Sequence, residues 1–393
     1  MELVIVKGRV TLFVGLTQLI NWGITFYLLG AFGQAIGREL GWTQVMTYSG
    51  QTLAMGVMGF TSPFSGKLLR HLGGKKMMAS GIVLNAIGCL LLAASQGPLS
   101  YWTAWVIMGA GMRLSLYDAA FAVLVDIAGP SARKSMTQVT LLGGLASVAF
   151  WPVGSWLLTV MGWRAGTVCY GLFALMSLLL LRCLPDKTPS PAISVTQPTP
   201  SSCGVVDDSN RWSGWIYAAL MALLSFLSTG ISAHLPAMLA GFGVPVLVGT
   251  LWGVGQVSAR LSDVFMGAKG SPLGLNMLVG GMLPFCFVFS LFSVHSTVYA
   301  ALFVLSYGAA NGLSTLARAT LPLILFDKHL YADKLGTLLM PSFFLSALAP
   351  AIYASLLDAM GIYGTLLFSL SISLIITILS VALSFRVRYR QGA

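Results

Sequence analysis

Three ionised side chains stand inside otherwise apolar stretches. Arg113 and Asp118 lie in GAGMRLSLYDAAF, and Arg318 lies in NGLSTLARATLP. An arginine in such surroundings presents a planar fork of N–H donors, which binds a carboxylate through two parallel hydrogen bonds. The alternative for Arg113 is a structural ion pair, or a cation held by carbonyls between helices. At 3.6 residues per turn, the five residues from Arg113 to Asp118 rotate about 140°. That spacing predicts no pairing within one helix, so each needs a different partner. Asn311, Ser314, Thr315 and Arg318 fall at i, i+3, i+4 and i+7, a single polar stripe on an apolar helix.

Asp118 is the one acid well inside an apolar run, since Asp126, Asp327 and Asp358 lie nearer run ends. Burial disfavours its charged form and a nearby arginine favours it; the sequence leaves that balance open. His234 sits on a face with Leu227, Gly230 and Ile231, where it either packs with one satisfied hydrogen bond or serves as a proton or substrate group. Gln18, Asn21 and Thr25 form one stripe, and Ser225, Ser228, Thr229 and Ser232 form another. Such residues line a pathway or join helix to helix; for Asn21 the pathway is expected, and for the serines the joining role. Aromatic residues such as Trp22, Tyr27, Tyr117, Trp151 and Trp252 would wall a pocket or simply pack.

Other chemistries find no footing. The five cysteines show no disulfide or metal-ligand spacing. There is no P-loop, no HExxH and no nucleophile elbow. Neither an enzyme, a cofactor nor a metal is expected.

The elements that must hold these residues follow from composition. Of the 393 residues 56% are hydrophobic and 8% charged, where a soluble domain carries roughly 25% charged residues. A net charge of +11 could suggest nucleic acid, but the basic residues sit between long apolar runs, as in a membrane protein. No nucleic-acid partner is expected; the partner is the lipid bilayer. The run after Lys7 and Arg9 is too long for a signal peptide and reads as a first spanning helix. Charge, Gly and Pro divide the chain into helices at about 10–34, 45–69, 75–95, 100–127, 136–158, 165–184, 212–240, 245–265, 272–293, 297–326, 335–357 and 363–385. The fold class expected is an all-α integral membrane protein of twelve helices.

Residues 185–211 are rich in Pro, Ser and Thr and form a linker between a bundle at 1–184 and another at 212–393. Basic residues gather on the side of the N-terminus (Lys7, Arg9, Arg70, Lys75, Lys76, the tail Arg386 and others), against Arg38 and Arg164 opposite. Both termini are therefore expected in the cytoplasm, the protein being multi-pass in the cytoplasmic (inner) membrane. A shift of 199 residues lays Met161-Gly162 on Met360-Gly361, Leu157-Leu158 on Leu356-Leu357 and Ser147 on Ser346. Repeated six-helix units related by a pseudo-two-fold axis mark secondary transporters that rock about a central site. The repeat sets Arg318 at the depth of Asp118. A contact between them would close an inner gate that protonation of Asp118 releases; otherwise Asp118 pairs locally and Arg318 reaches the surface.

After the second helix, Gly66-Lys67-Leu68-Leu69-Arg70-His71-Leu72-Gly73-Gly74-Lys75 resembles the G-x-L-x-D-R-x-G-R-K/R loop of the major facilitator superfamily. Gly66, Leu68, Gly73 and Lys75 match, while Arg70 stands where the family has an acid. The second-half counterpart, with Arg260 and Asp263, keeps the acid and displaces the glycine. In the family this loop pairs the halves on the cytoplasmic side and gates, and helices one, four, seven and ten line the pathway. Gly-rich helices four and ten and the Gly162-Trp163-Arg164 turn resemble the bacterial monocarboxylate and oxalate–formate branch. The resemblance implies a monomer.

The expected function is alternating-access transport of a small organic anion, a monocarboxylate, with protons. The substrate would be bound by Arg113, Arg318, Asn21, Asn311 and Tyr117, with Asp118 and His234 for proton coupling or gating. The rival readings are proton-driven efflux of a drug or metabolite and a non-transporting membrane receptor.

Overall fold

Long apolar runs satisfy their backbone in a bilayer by coiling into helices, and every described element here is helical. The structure is a computed structural model that describes residues 2–128, 132–182, 184, 208–266, 271–326 and 331–391. The first half contains α1 (Glu2–Ile24), α2 (Leu28–Leu40), α3 (Gln44–Thr61), α4 (Ser65–Leu72), α5 (Gly74–Ala93), α6 (Pro98–Ser115), α7 (Tyr117–Ala128), α8 (Ala132–Gly144) and α9 (Ala146–Leu181). The second half contains α10 (Asp208–Gly241), α11 (Leu251–Met266), α12 (Pro272–Leu291), α13 (Thr297–Leu325) and α14 (Tyr331–Gln391). Among the described residues, eight helical stretches are long and apolar enough to cross a membrane, Tyr331–Arg388 with a mean hydropathy of 2.5 among them. Side-chain caps start several helices where the sequence changes character: Thr43 for α3, Ser271 for α12 and Ser296 for α13 each accept a backbone N–H.

Two long helices are each two crossings joined by a corner. Gly162 within α9 has φ 77° and ψ 170°, and Gly361 within α14 has φ 68° and ψ −175°. This region of backbone space is essentially reserved for glycine. The two glycines are the pair that the 199-residue shift superposes, so the repeat in sequence is a repeated corner in structure. Beside the first corner Arg164 bonds Glu39 at 2.8 Å and the carbonyls of Ala93 and Ser95, tying three loops of the first half together.

Among the described residues, divided at the two corners and joined where α1 runs into α2, α3 into α4, α6 into α7 and α8 into α9, the helices make twelve crossings in two bundles of six. In the first, α1 packs on α8 and α9, and α5 on α6 and α9. In the second, α10 packs on α14 and α12 on α13 and α14. The bundles meet where α3 and α4 approach α14 and where α8 approaches α11. Residues 185–207 of the expected linker lie outside the described residues, as do Cys203 and Lys269; α10 already begins at Asp208.

The sequence predicts continuous helices over 10–34 and 100–127, and the structure breaks both. The first break separates α1 from α2 at Thr25–Tyr27. The second lies at Leu116, whose ψ of −171° is extended. Gln18 from α1 donates to the Ser115 carbonyl at 2.7 Å, an acceptor the helix would otherwise use, and Ala119 N–H turns to the Leu116 carbonyl instead. Asn85 from α5 holds the Ser115 hydroxyl at 3.0 Å. A broken membrane helix is tolerated where neighbours satisfy the freed backbone in this way.

Candidate functional site

Between the bundles lies a cavity of about 240 Å³, walled by α1, α3, α6, α7 and α8 from the first half and by α10, α11, α13 and α14 from the second. Tyr117, Asn311 and Arg318 line it, and Asp118 is the single acid among its described lining residues. Arg260 lines it too, although its motif had placed it with the gate.

Arg113 does not line the cavity. The break at Leu116 re-aims α7, and Asp118 swings beneath Arg113, whose Nη1 donates to Asp118 Oδ2 at 3.0 Å. The expectation that the two could not pair assumed an unbroken helix and is corrected. Arg113 is 2% exposed and also donates to Ser65 Oγ at 3.1 Å, which leaves it behind the carboxylate rather than facing a substrate. From the second half Arg318 donates to both oxygens of Asp118, Nε at 3.3 Å and Nη2 at 3.1 Å, and to Ser225 Oγ at 3.4 Å. Asp118 thus joins the halves through an arginine on either side. Both guanidiniums lie over the ring of Phe343, Arg113 at 5.4 Å and Arg318 at 5.2 Å, within cation–π range.

Arg260 is in a different situation. It is 3% exposed, and its one hydrogen bond runs from Nη2 to Thr315 Oγ1 at 3.3 Å. Nε and Nη1 are buried with no hydrogen-bond partner, and no carboxylate among the described residues pairs with it. It reaches across to α8, where Nη1 occupies the space a Cβ on Gly144 would need. A buried, unneutralised cation is costly, and here it faces a cavity. Gln256, Arg260 and Asp263 fall at i, i+4 and i+7, a polar stripe on α11 that the sequence displayed and the motif resemblance obscured.

Asn21 lies inside the first bundle rather than on the pathway. It donates to the Thr17 carbonyl at 2.8 Å and to Ser177 Oγ at 3.3 Å, and accepts from Asn85 at 3.2 Å. His234 lies 2.8 Å from the Pro350 carbonyl and stacks on Tyr353, away from the cavity lining. Of the α10 stripe expected to join helices, Ser225, Ser228 and Thr229 instead line the cavity, and Ser232 does not.

The gate motif sits where the halves touch, on the side of the chain termini. Arg70 on α4 pairs with Asp333 at the start of α14. Gly66 makes that approach possible, since a Cβ there would lie 2.7 Å from the Asp333 backbone. Gly73, with φ 76°, forms the turn into α5, whose first turn carries Lys75. Where the signature has an acid this chain has Arg70, and an acid, Asp333, stands across the seam from it. In the second copy, Asp263 accepts from Thr137 Oγ1 at 3.0 Å and pairs with Arg133 at 3.6 Å, both on α8. The Arg70–Asp333 pair is exposed at Arg70 (53%) and partly exposed at Asp333 (32%), so its loss should cost little stability, about 0.2–1 kcal/mol. Arg70→Asp, by contrast, sets two acids face to face. It should raise labelling of a cysteine placed on this side of the cavity, and Arg70→Asp with Asp333→Arg should restore protection; equal labelling in the single and double variants would dismiss the latch.

Two contacting bundles of six helices, a central polar cavity and paired loop motifs at one end are matched by comparison with known proteins. A family model described as Major Facilitator Superfamily matches residues 14–333. The chain belongs to the Major Facilitator Superfamily. Among solved members, the human organic anion transporter MFSD10 (TETRAN) superposes with a TM-score of 0.72 at 17% identity, covering 95% of this chain and 99% of that one. The proton:xylose symporter XylE, bound to 6-bromo-6-deoxy-D-glucose, superposes with a TM-score of 0.69 at 14% identity, covering 96% and 94%. These superfamily structures share the fold. A relative by sequence is the chloramphenicol resistance protein CraA of Acinetobacter baumannii, 27% identical over 132 residues. That match spans 34% of this chain and 31% of CraA. Membership makes the chain a multi-pass membrane transporter and not an enzyme.

Proposed function

We propose that this superfamily member is a secondary active transporter that moves a small organic anion, a monocarboxylate, across the cytoplasmic membrane together with protons. The observation that carries the reading is Arg260, a buried guanidinium with unpaired donors in the wall of a central cavity. The other charges lining that cavity, Arg318 and Asp118, already satisfy one another. An empty cavity of this kind is positive and attracts an anion. Asp118 supplies the proton site: its protonation would weaken the tie to Arg318 that spans the halves. Residues 1–184 and 212–393 act as the two rocking units about the linker 185–211, as a monomer. With the termini in the cytoplasm, the closed side is the cytoplasmic one, and the cavity is poised to load from outside.

A second reading, efflux of a drug, is favoured by the partial match to a chloramphenicol resistance protein. The two are separated by thermal stabilisation of the purified protein with carboxylates, sugars, amino acids, cationic drugs and chloramphenicol, at mildly acidic and at neutral pH. A ligand that binds the folded state raises the melting temperature by mass action. Stabilisation confined to carboxylates is the expected result; stabilisation by chloramphenicol or cations in their place would overturn the anion reading.

A further inference from the structure

The two walls of the cavity differ in kind. The second half contributes Gln256, Arg260, Asn311, Thr315 and Arg318, a face of donors and hydroxyls. The first half contributes Trp22, Phe26, Tyr117, Phe121, Met55 and Met112. Its one charged contribution, Asp118, is occupied by two arginines. The aromatic rings are contiguous: Trp22 lies 4.9 Å from Tyr117 and 5.1 Å from Phe26, and Tyr117 stacks on Phe121 at 5.5 Å with planes 4° apart. Tyr117 is held in that row by a hydrogen bond from its hydroxyl to the Thr140 carbonyl at 3.3 Å. The second half adds Phe343, whose ring is covered by the two guanidiniums, and the non-aromatic Met221 and Leu224.

A short hydrophilic acid such as acetate or lactate would use Arg260 and leave the opposite wall facing water. A flat apolar body of limited size would cover it, with ring-to-ring geometry that favours aromatic over saturated groups. On the basis of the anion reading above, we propose that the substrate is an aromatic monocarboxylate. Its carboxylate sits on Arg260 of the second half, and its ring lies against Trp22 and Tyr117 of the first. The assignment gives each half a separate part of one molecule to hold, so an occupied site bridges the bundles and an incomplete substrate does not.

The test is competition binding to the purified full-length protein, with benzoate, cyclohexanecarboxylate, acetate, lactate, benzamide and benzylamine. Benzoate should bind at least about tenfold more tightly than acetate or lactate, and more tightly than cyclohexanecarboxylate. Acetate or lactate equal to benzoate would overturn the aromatic assignment while leaving the anion reading intact. So would cyclohexanecarboxylate equal to benzoate, which would show an apolar preference with no aromatic part. Binding of benzamide or benzylamine as tightly as benzoate would instead remove the anion reading itself. Trp22→Leu should bring the benzoate-to-acetate affinity ratio towards one, and Trp22→Phe should retain most of it. If Trp22→Leu fails to melt cooperatively, Tyr117→Leu is read in its place. A ratio unchanged in the variant that is read would remove the ring from the first-half wall.

Discussion

Arg260→Ala is expected to abolish carboxylate binding without destabilising the protein. A substrate carboxylate on this guanidinium would be a buried, hydrogen-bonded charge pair, and truncating one partner of such a pair costs roughly 2–5 kcal/mol. At 1.4 kcal/mol per decade the lower end is already about thirtyfold in affinity. The stability expectation has the opposite sign from that for an ordinary buried arginine. Arg260 is 3% exposed, with two nitrogens unpaired and no carboxylate partner among the described residues. Removing it takes away an uncompensated charge, so the melting temperature of the empty protein should stay level or rise, as when a strained functional site is relieved. Arg260→Lys should recover only part of the affinity, because an ammonium lacks the planar fork. A large fall in melting temperature with normal carboxylate affinity would make Arg260 a packing residue.

Asp118→Asn should produce the larger stability loss. The carboxylate pairs with two guanidiniums at 3.0 and 3.1 Å, and its loss strands them. Breaking a buried pair by removing one partner costs about 3–5 kcal/mol, chiefly through the charge left behind. The cost should fall unevenly on the two arginines. Arg113 is 2% exposed, with only Ser65 remaining to it, whereas Arg318 is 20% exposed and keeps Ser225. Adding Arg113→Met to Asp118→Asn should therefore restore more of the melting temperature than adding Arg318→Met. Equal restoration would mean that burial does not set the cost. An Asp118→Asn protein as stable as the parent would mean that the carboxylate is not the counter-ion of either arginine.

What could be read in the sequence was what local pattern determines. Apolar runs, punctuation and the 199-residue repeat placed the crossings, and the repeat also brought Asp118 and Arg318 to one depth, where the structure joins them. Arg113 was misplaced because its position depends on Gln18, which lies 97 residues from Ser115 and takes over one of its backbone acceptors; no periodicity in α6 or α7 announces that. Asn21 and Ser228 were hard to assign for a related reason. A small polar residue on a helix stripe faces a pathway or a neighbour according to helix rotation, which packing alone sets. Arg260 was visible as part of a stripe with Gln256, but a family motif that includes Asp263 drew it towards the gate.

The Arg70–Asp333 pair bears on how this transporter can share parts with its relatives. A chimaera that joined the first half of a relative carrying the usual acidic loop residue to this second half would oppose that acid to Asp333. The reciprocal chimaera would take Asp333 away from Arg70. Among the described residues this is one of three ion pairs that match the halves to each other, with Asp118–Arg318 and Arg133–Asp263, and an exchange of halves would have to carry both sides of each or neither.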